Sequence, residues 1–340
     1  MKEDNILKKI GLTTTVPVEV LIAAGYRPVD LNNLFITSDD YSKYIETAER
    51  DGFPKSLCAW IKGIYGACVE NGIKEIVGVI EGDCSNTKAL AEVLELRGIK
   101  VYPFSFPQSH RKEDVEVEIK KFMDIFHVSY EEVEVVRKKL NRIRKLAGEL
   151  DRLTYAHDKV SGFENHLYQV SLSDFNGDAD EFEKELETFI LKVKKRDETC
   201  KKVRLGYIGV PPMTIDIYDF VERFDASFVY NEVQREFAFP RCEDASNIYE
   251  QYYDYTYPYD VNYRIKEIKK QIEDRRIDGI VHYTQAFCYR AVENIILKDK
   301  LNVPIINIEG DKMNSLDART KLRLEAFLDM LGDLKEVSCV

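Results

Sequence analysis

Three times along the chain a short apolar run is followed by a polar turn, a stretch with helical spacing and a second apolar run, and this pattern constrains the fold more than any other feature. In the first case Ile76 to Ile80 (IVGVI) reads as a buried strand, Glu81 to Ser85 as a turn, Lys88 to Arg97 as a helix and Val101 to Phe106 as the next strand. Gly98 stops that helix, since glycine takes up a left-handed termination without steric cost. The second case runs from Val203 to Ile208 through Gly209-Val210-Pro211-Pro212 and a helix near Ile215 to Arg223, ending at Ser227 to Tyr230. The third has strand Ile277 to His282, a turn through Thr284 and Gln285 to Cys288, helix Tyr289 to Lys298 and strand Val303 to Ile308. Strands joined through a helix in this way run parallel, and apolar strands without alternation belong to sheets covered on both faces. The pattern predicts an α/β fold: two Rossmann-like domains with parallel sheets, plus a helical insertion between them. A chain of 340 residues has room for both.

The expected boundaries are an N-terminal α/β domain over 1–128, a helical connector over 129–200 and a C-terminal α/β domain over 201–340. In the connector Ser129 and Glu132 match a capping box, and Val133, Val136, Leu140, Ile143, Ala147 and Leu150 recur at three- and four-residue steps. A second amphipathic helix through Phe182, Leu186, Phe189, Ile190 and Val193 follows the turn Asn176-Gly177-Asp178. The abundant Lys and Glu there read as a solvated face.

Composition excludes whole classes of function. With 49 Lys and Arg against 60 Asp and Glu, a net charge of -11 repels a polyphosphate backbone, so no nucleic-acid partner is expected. No apolar run approaches the ~20 residues needed to cross a bilayer, and the opening MKEDNILKKIGL lacks a secretory core, which predicts a cytoplasmic protein without membrane contact. No phosphate-binding glycine loop and no nucleophile elbow is present. Seven cysteines at irregular spacing fit thiols or metal ligands better than a disulfide framework.

Three cysteines stand where packing alone does not require them. Cys84 and Cys288 lie in turns just past the carboxyl ends of strands, the edge at which open α/β sheets bind ligands, and Cys58 follows Pro54, read as the start of a helix. A thiolate near a helix N-terminus is favoured by the local positive potential. Taken singly, each reads equally as a small core residue, and no C-x-x-C pair supports a zinc ribbon. A closed zinc site built from these three with His282, or a metal-free structural protein, stays open on the residues alone. Cys68 reads as core, Cys200 and Cys339 as bystanders, and Cys242 is undecided. His282, at a strand end, suits a metal ligand, a proton donor or a core histidine. The tyrosine-rich segment from Tyr252 to Asp260 reads as a packing loop or a lid. Gly25, Gly82 and Gly310 are assigned to turns.

Several phrases, in order over most of the chain, resemble the 2-hydroxyacyl-CoA dehydratase family. These are the D-component-like proteins related to benzoyl-CoA reductase subunits and double-cubane cluster proteins. The phrases are Thr13-Thr14-Thr15-Val16-Pro17-Val18-Glu19-Val20, Ala23-Ala24-Gly25-Tyr26-Arg27-Pro28-Val29, Cys58, Gly82-Asp83-Cys84 and Phe287-Cys288. Ile308-Glu309-Gly310-Asp311 and Arg323-Leu324-Glu325-Ala326-Phe327 close the series, while 108–200 contributes nothing to it. The resemblance implies that Cys58, Cys84 and Cys288 hold a 4Fe-4S cluster with one iron lacking a cysteine; a double-cubane 8Fe cluster would need further sulfur ligands. It also implies one low-potential electron from an ATP-hydrolysing iron-sulfur activator protein, which makes a ketyl radical of a 2-hydroxyacyl thioester and permits loss of the hydroxyl. Other implications are a homodimer or a related second subunit, and a small-molecule substrate such as an acyl-CoA. His282, Glu81 and Glu309 are then the candidates for proton transfer or hydroxyl departure.

Overall fold

A computed structural model of the chain describes residues 7–238, 245–310 and 315–338. The first elements are β1 (Lys8–Leu12), α1 (Val18–Ala23), β2 (Tyr26–Asp30), α2 (Leu31–Ile36), α3 (Tyr41–Arg50), α4 (Ala59–Glu70), β3 (Glu75–Glu81), α5 (Ser85–Leu96), β4 (Lys100–Ser105) and α6 (Lys112–Phe126). Then come α7 (Tyr130–Tyr155), α8 (Gly162–Val170), α9 (Ala179–Val193), β5 (Val203–Gly209), α10 (Asp216–Glu222), β6 (Ala226–Asn231), α11 (Glu232–Ala238) and α12 (Ile248–Tyr253). The chain closes with α13 (Val261–Arg275), β7 (Gly279–Gln285), α14 (Tyr289–Lys300), β8 (Ile305–Gly310) and α15 (Ala318–Ser338).

The chain divides into two compact units. The first comprises 1–145, 171–185 and 239–259, and the second 146–170, 186–238 and 260–340, so that each takes part of the helical stretch 129–200. The first unit holds a four-stranded sheet in the order β2-β1-β3-β4 and the second a sheet in the order β6-β5-β7-β8. Every pairing in both is parallel. The two orders are the same pattern, and in each the strand order reverses beside the first strand, where doubly wound sheets open a crevice at their carboxyl edge. The α/β class and the two parallel sheets agree with the sequence expectation.

Local chemistry explains most of the boundaries. The capping box before α7 forms: the Ser129 amide donates to Glu132 Oε2 at 2.8 Å and the Glu132 amide donates to Ser129 Oγ at 3.3 Å. Asp30, Asn247 and Asp260 accept amides at the starts of α2, α12 and α13. In the first unit Leu31, Ile64, Tyr65, Ile76 and Leu90 meet in one core. The second unit covers one face of its sheet with a cluster through Tyr207, Phe228 and Leu324, and the other with one through Ile208, Ile268 and Leu297. Each such side chain stabilises its unit by about 1.5–3 kcal/mol before entropy is counted.

Four expectations need correction. Pro54 does not start a helix: the Leu57 amide donates to Pro54 O in a turn, and α4 begins only after Cys58. Thr284 and Gln285 belong to β7 because both are buried and registered against Glu309 and Gly310 of β8. For the same reason Gly310 ends a strand and not a turn, and a Cβ there would strike the Tyr283 hydroxyl. The charged helix α7 is not only a solvated face, since Glu134, Arg137, Arg144 and Asp151 are buried in ion pairs. The tyrosine-rich segment packs within the first unit, where Tyr252 donates to Glu19 and Tyr255 stands edge-on to Phe106. No described helix is long and apolar enough to cross a membrane.

Candidate functional site

In the first unit β3 ends at Glu81, whose Oε1 accepts the Gln108 amide at 3.1 Å. The chain then turns at Gly82 with φ +86°, a conformation that L side chains seldom adopt, and a Cβ there would lie 2.7 Å from Phe106 Cβ. Asp83 follows and accepts the Thr87 hydroxyl at 3.0 Å, and Cys84 is the N-cap residue of α5. Cys58 is likewise the N-cap residue of α4. One turn into α4, the fully buried Lys62 donates to Glu49 Oε1 and to Lys55 O, both at 2.9 Å, which ties down the loop that carries Cys58.

In the second unit β7 passes through Thr284 and Gln285 to Phe287, which has φ +60°, and Cys288 is the N-cap residue of α14. The three cysteines thus share one structural position. Their backbone angles are close to one another (φ/ψ −45°/130°, −58°/136° and −73°/128°), and none caps its helix with its sulfur. All three are half-buried thiols outside any disulfide. Cys68, by contrast, is in the core, where burial pushes its thiol up to about 12, and Cys200 is exposed. Cys242 and Cys339 fall outside the described residues. Among the described residues no three His, Cys, Asp or Glu side chains gather as a group that could hold a metal ion.

His282 lies fully buried on β7, opposite Asn307 of β8. Its Nδ1 is 3.2 Å from Asn294 Oδ1, so Nδ1 carries the proton, and Nε2 is a buried atom with no hydrogen-bond partner among the described residues. Burial first, and then the Arg264 guanidinium, lowers the imidazole to about 4. Around it runs a buried ionic network. Arg264 donates to both oxygens of Glu232, at 2.8 and 2.9 Å, and also to Glu293, which Arg290 approaches at 3.4 Å. Glu232 also accepts the Gly209 amide at the end of β5. Burial raises the Glu232 carboxyl, but Arg264 and its hydrogen bonds outweigh this and hold it below the usual range. Glu309 stands exposed near the end of β8.

Sequence reasoning missed the buried charges at the corresponding edge of the first unit. Glu19, after β1, is fully buried; it accepts from Arg144 at 2.6 Å, Tyr252 at 2.8 Å and Gln251 at 2.9 Å. It also missed His166, which is in helix α8 and not in a loop, buried against Gln234 Nε2 at 2.8 Å and lowered by burial to about 4. An apolar groove of about 480 Å³ runs along α5 from Asn86 to Arg97, floored by Leu57, Ile61, Leu90 and Val93. It begins one residue from Cys58 and two from Cys84.

Residues 13–331 match the family described as 2-hydroxyglutaryl-CoA dehydratase, D-component. The chain belongs to this family. The match spans both sheets and all three N-cap cysteines, so the D-component resemblance read from scattered phrases extends through the helical middle as well. No curated protein matches the chain.

Proposed function

We propose that this D-component family member is the iron-sulfur component of a 2-hydroxyacyl-CoA dehydratase-type enzyme. In this reading one low-potential electron from a separate ATP-hydrolysing activator drives dehydration or reduction of an acyl-CoA or a similar small substrate. The observation that carries the reading is that Cys58, Cys84 and Cys288, alone among the described cysteines, cap helices at α4, α5 and α14. The donor set fits the group: N-terminal amides favour thiolates at these positions, and half-buried sulfurs are accessible to iron. Three thiolates suit a single 4Fe-4S cube. A double-cubane cluster would need more, and neither the core thiol of Cys68 nor the exposed Cys200 is suited to supply one. When bound, such a cube supplies one-electron transfer and an iron position open to substrate or water.

The chain's own residues have separable tasks. Lys62 and the Gly82 turn hold the loops bearing Cys58 and Cys84. His282 is neutral at physiological pH, so it accepts a hydrogen bond or a proton at Nε2 and cannot act as an imidazolium donor. Asn294 keeps that lone pair available by taking the proton on Nδ1. Glu81 and Glu309 remain in contact with water and are the candidates for proton transfer during hydroxyl departure. The apolar groove along α5 gives a hydrophobic substrate portion a place beside two of the cysteines. The chain works with a second copy or a related subunit, in the cytoplasm.

Single cysteine variants test this. After anaerobic reconstitution, Cys58→Ser, Cys84→Ser and Cys288→Ser should each lose most of the bound iron and sulfide, whereas Cys68→Ala and Cys200→Ala should retain them. Full iron in any of the first three removes that residue from the ligand set. His282→Ala should keep its iron and lose turnover; if both survive, His282 has no part in the reaction.

A further inference from the structure

Helix α15 carries apolar residues on two sides. Leu324, Phe327, Leu328 and Leu331 pack into the core of the second unit. On the other side Leu322, Ala326, Met330 and Leu334 recur at four-residue steps and face water, with Leu322 66%, Leu334 53% and Met330 40% exposed. A helix that only covers a sheet presents polar residues outward. This row instead borders a shallow groove of about 530 Å³, lined by Ala326, Met330 and Leu334 together with Asp329 and Asp333.

The charges beside the row are ordered. The first half of α15 has Arg319, Lys321 and Arg323 against Glu325, and the second half has Asp329, Asp333 and Glu336 against Lys335. Positive charge at the N-terminal half and negative at the C-terminal half oppose the helix dipole, so the arrangement costs the isolated helix stability. An external partner with the reverse charge order accounts for it. An antiparallel copy of α15 has that order.

We propose that the outer face of α15 pairs with the same face of a second copy of this chain, the two helices running antiparallel. Pairing centred near residue 328 brings Leu322 level with Leu334, and Arg323 level with Asp333. It also brings Ala326 level with Met330, so the small residue leaves room for the large one. Each basic half then lies along an acidic half, while parallel pairing would set like charges together. Rows at four-residue spacing interdigitate in the commonest helix-packing class, with axes about 50° apart. The larger apolar face of α14, with Phe287, Val292 and Ile295, has no such charge order and so names no partner. One helix face supplies an interface at the low end of specific contacts, below about 1,200 Å², so the dimer is concentration-dependent and weakened by salt. The pairing supplies the second copy that the proposed function calls for, yet it stands on α15 alone and is measured without any cluster. Its failure is therefore distinct from failure of the iron-sulfur reading.

The test is sedimentation velocity on the purified full chain, metal-free and reduced, over a concentration series at low and high salt. The wild type should shift from monomer to dimer with concentration, and high salt should move that midpoint upward. M330E/L334E should raise the dissociation constant at least ~10-fold, a loss of about 1.4 kcal/mol. The all-acidic variant R319E/R323E and the all-basic variant D329K/D333K should each be monomeric alone, and an equimolar mixture should dimerise. A wild type that stays monomeric throughout, a dimer that persists in M330E/L334E, or a mixture that fails to associate overturns the proposal. All these positions are exposed; if circular dichroism shows lost helix in the glutamate variant, M330S/L334S provides the same comparison.

Discussion

Replacing Gly82 by alanine acts on the turn that delivers Cys84 to the start of α5, and two separable costs follow from its surroundings. The first is conformational: at φ +86° an L residue pays the left-handed penalty of about 1–2 kcal/mol. The second is steric, because the new Cβ would meet Phe106 Cβ at 2.7 Å, Pro258 Cβ at 3.1 Å and Phe106 O at 3.2 Å. Overpacking of this kind costs about 1–3 kcal/mol more. Gly25 supplies the control within the same unit. It has φ +78° but nothing within 4 Å of the added atom, so Gly25→Ala pays only the first cost. Trp60, the one tryptophan, is buried in α4 of that unit and reports its unfolding by fluorescence in a urea titration of the metal-free chain. Gly82→Ala should destabilise by about 2–5 kcal/mol and Gly25→Ala by about 1–2 kcal/mol. Costs within about 0.5 kcal/mol of each other, the spread of neutral surface changes, would refute the steric argument.

Glu19→Ala should destabilise the first unit by about 3–5 kcal/mol in the same titration, because it strands the buried Arg144 charge, and Glu19→Leu combined with Arg144→Leu should recover much of the loss. Asp174 is raised from 3.8 to about 7 by burial and then by the charge of Asp30, so the folded state binds a proton that the unfolded chain releases. Trp60-monitored stability should therefore fall as pH rises from about 4 to about 7, by at most about 1.4 kcal/mol per unit, and Asp174→Asn should flatten that slope. In the metal-free chain the exposed Cys200 should react first with a disulfide reagent, and Cys68 should react only on unfolding; early reaction of Cys68 would contradict its place in the core. Nitrogen NMR of labelled histidines should show His282 proton-bearing at Nδ1, and Asn294→Ala should mix its tautomers.

What could be read from the sequence was what periodicity and turn chemistry encode. Strands β3 and β5 are continuous apolar runs, and the Gly98 stop and the Ser129–Glu132 box are local rules, so all of these appear as expected. The end of β7 was missed because Thr284 and Gln285 look like turn residues, and only their register against β8 makes them strand. Glu19, Arg144, Asp151 and Arg275 each look like solvated residues in a charged segment. Their burial depends on partners more than 100 residues away, which no local pattern records. Cys84 and Cys288 could be singled out because they follow strand ends, whereas Cys58 owed its place mainly to family resemblance. The common N-cap geometry of the three emerges only from backbone angles.

The central claim, that three N-cap thiols hold an iron-sulfur cube, is tested most directly by anaerobic purification followed by an absorption spectrum and iron, sulfide and zinc analysis on one sample. The account predicts a brown protein with about four irons and about four sulfides per chain. A colourless protein that carries zinc, or no metal even after reconstitution, would contradict it and mean that the family fold has been kept without its chemistry.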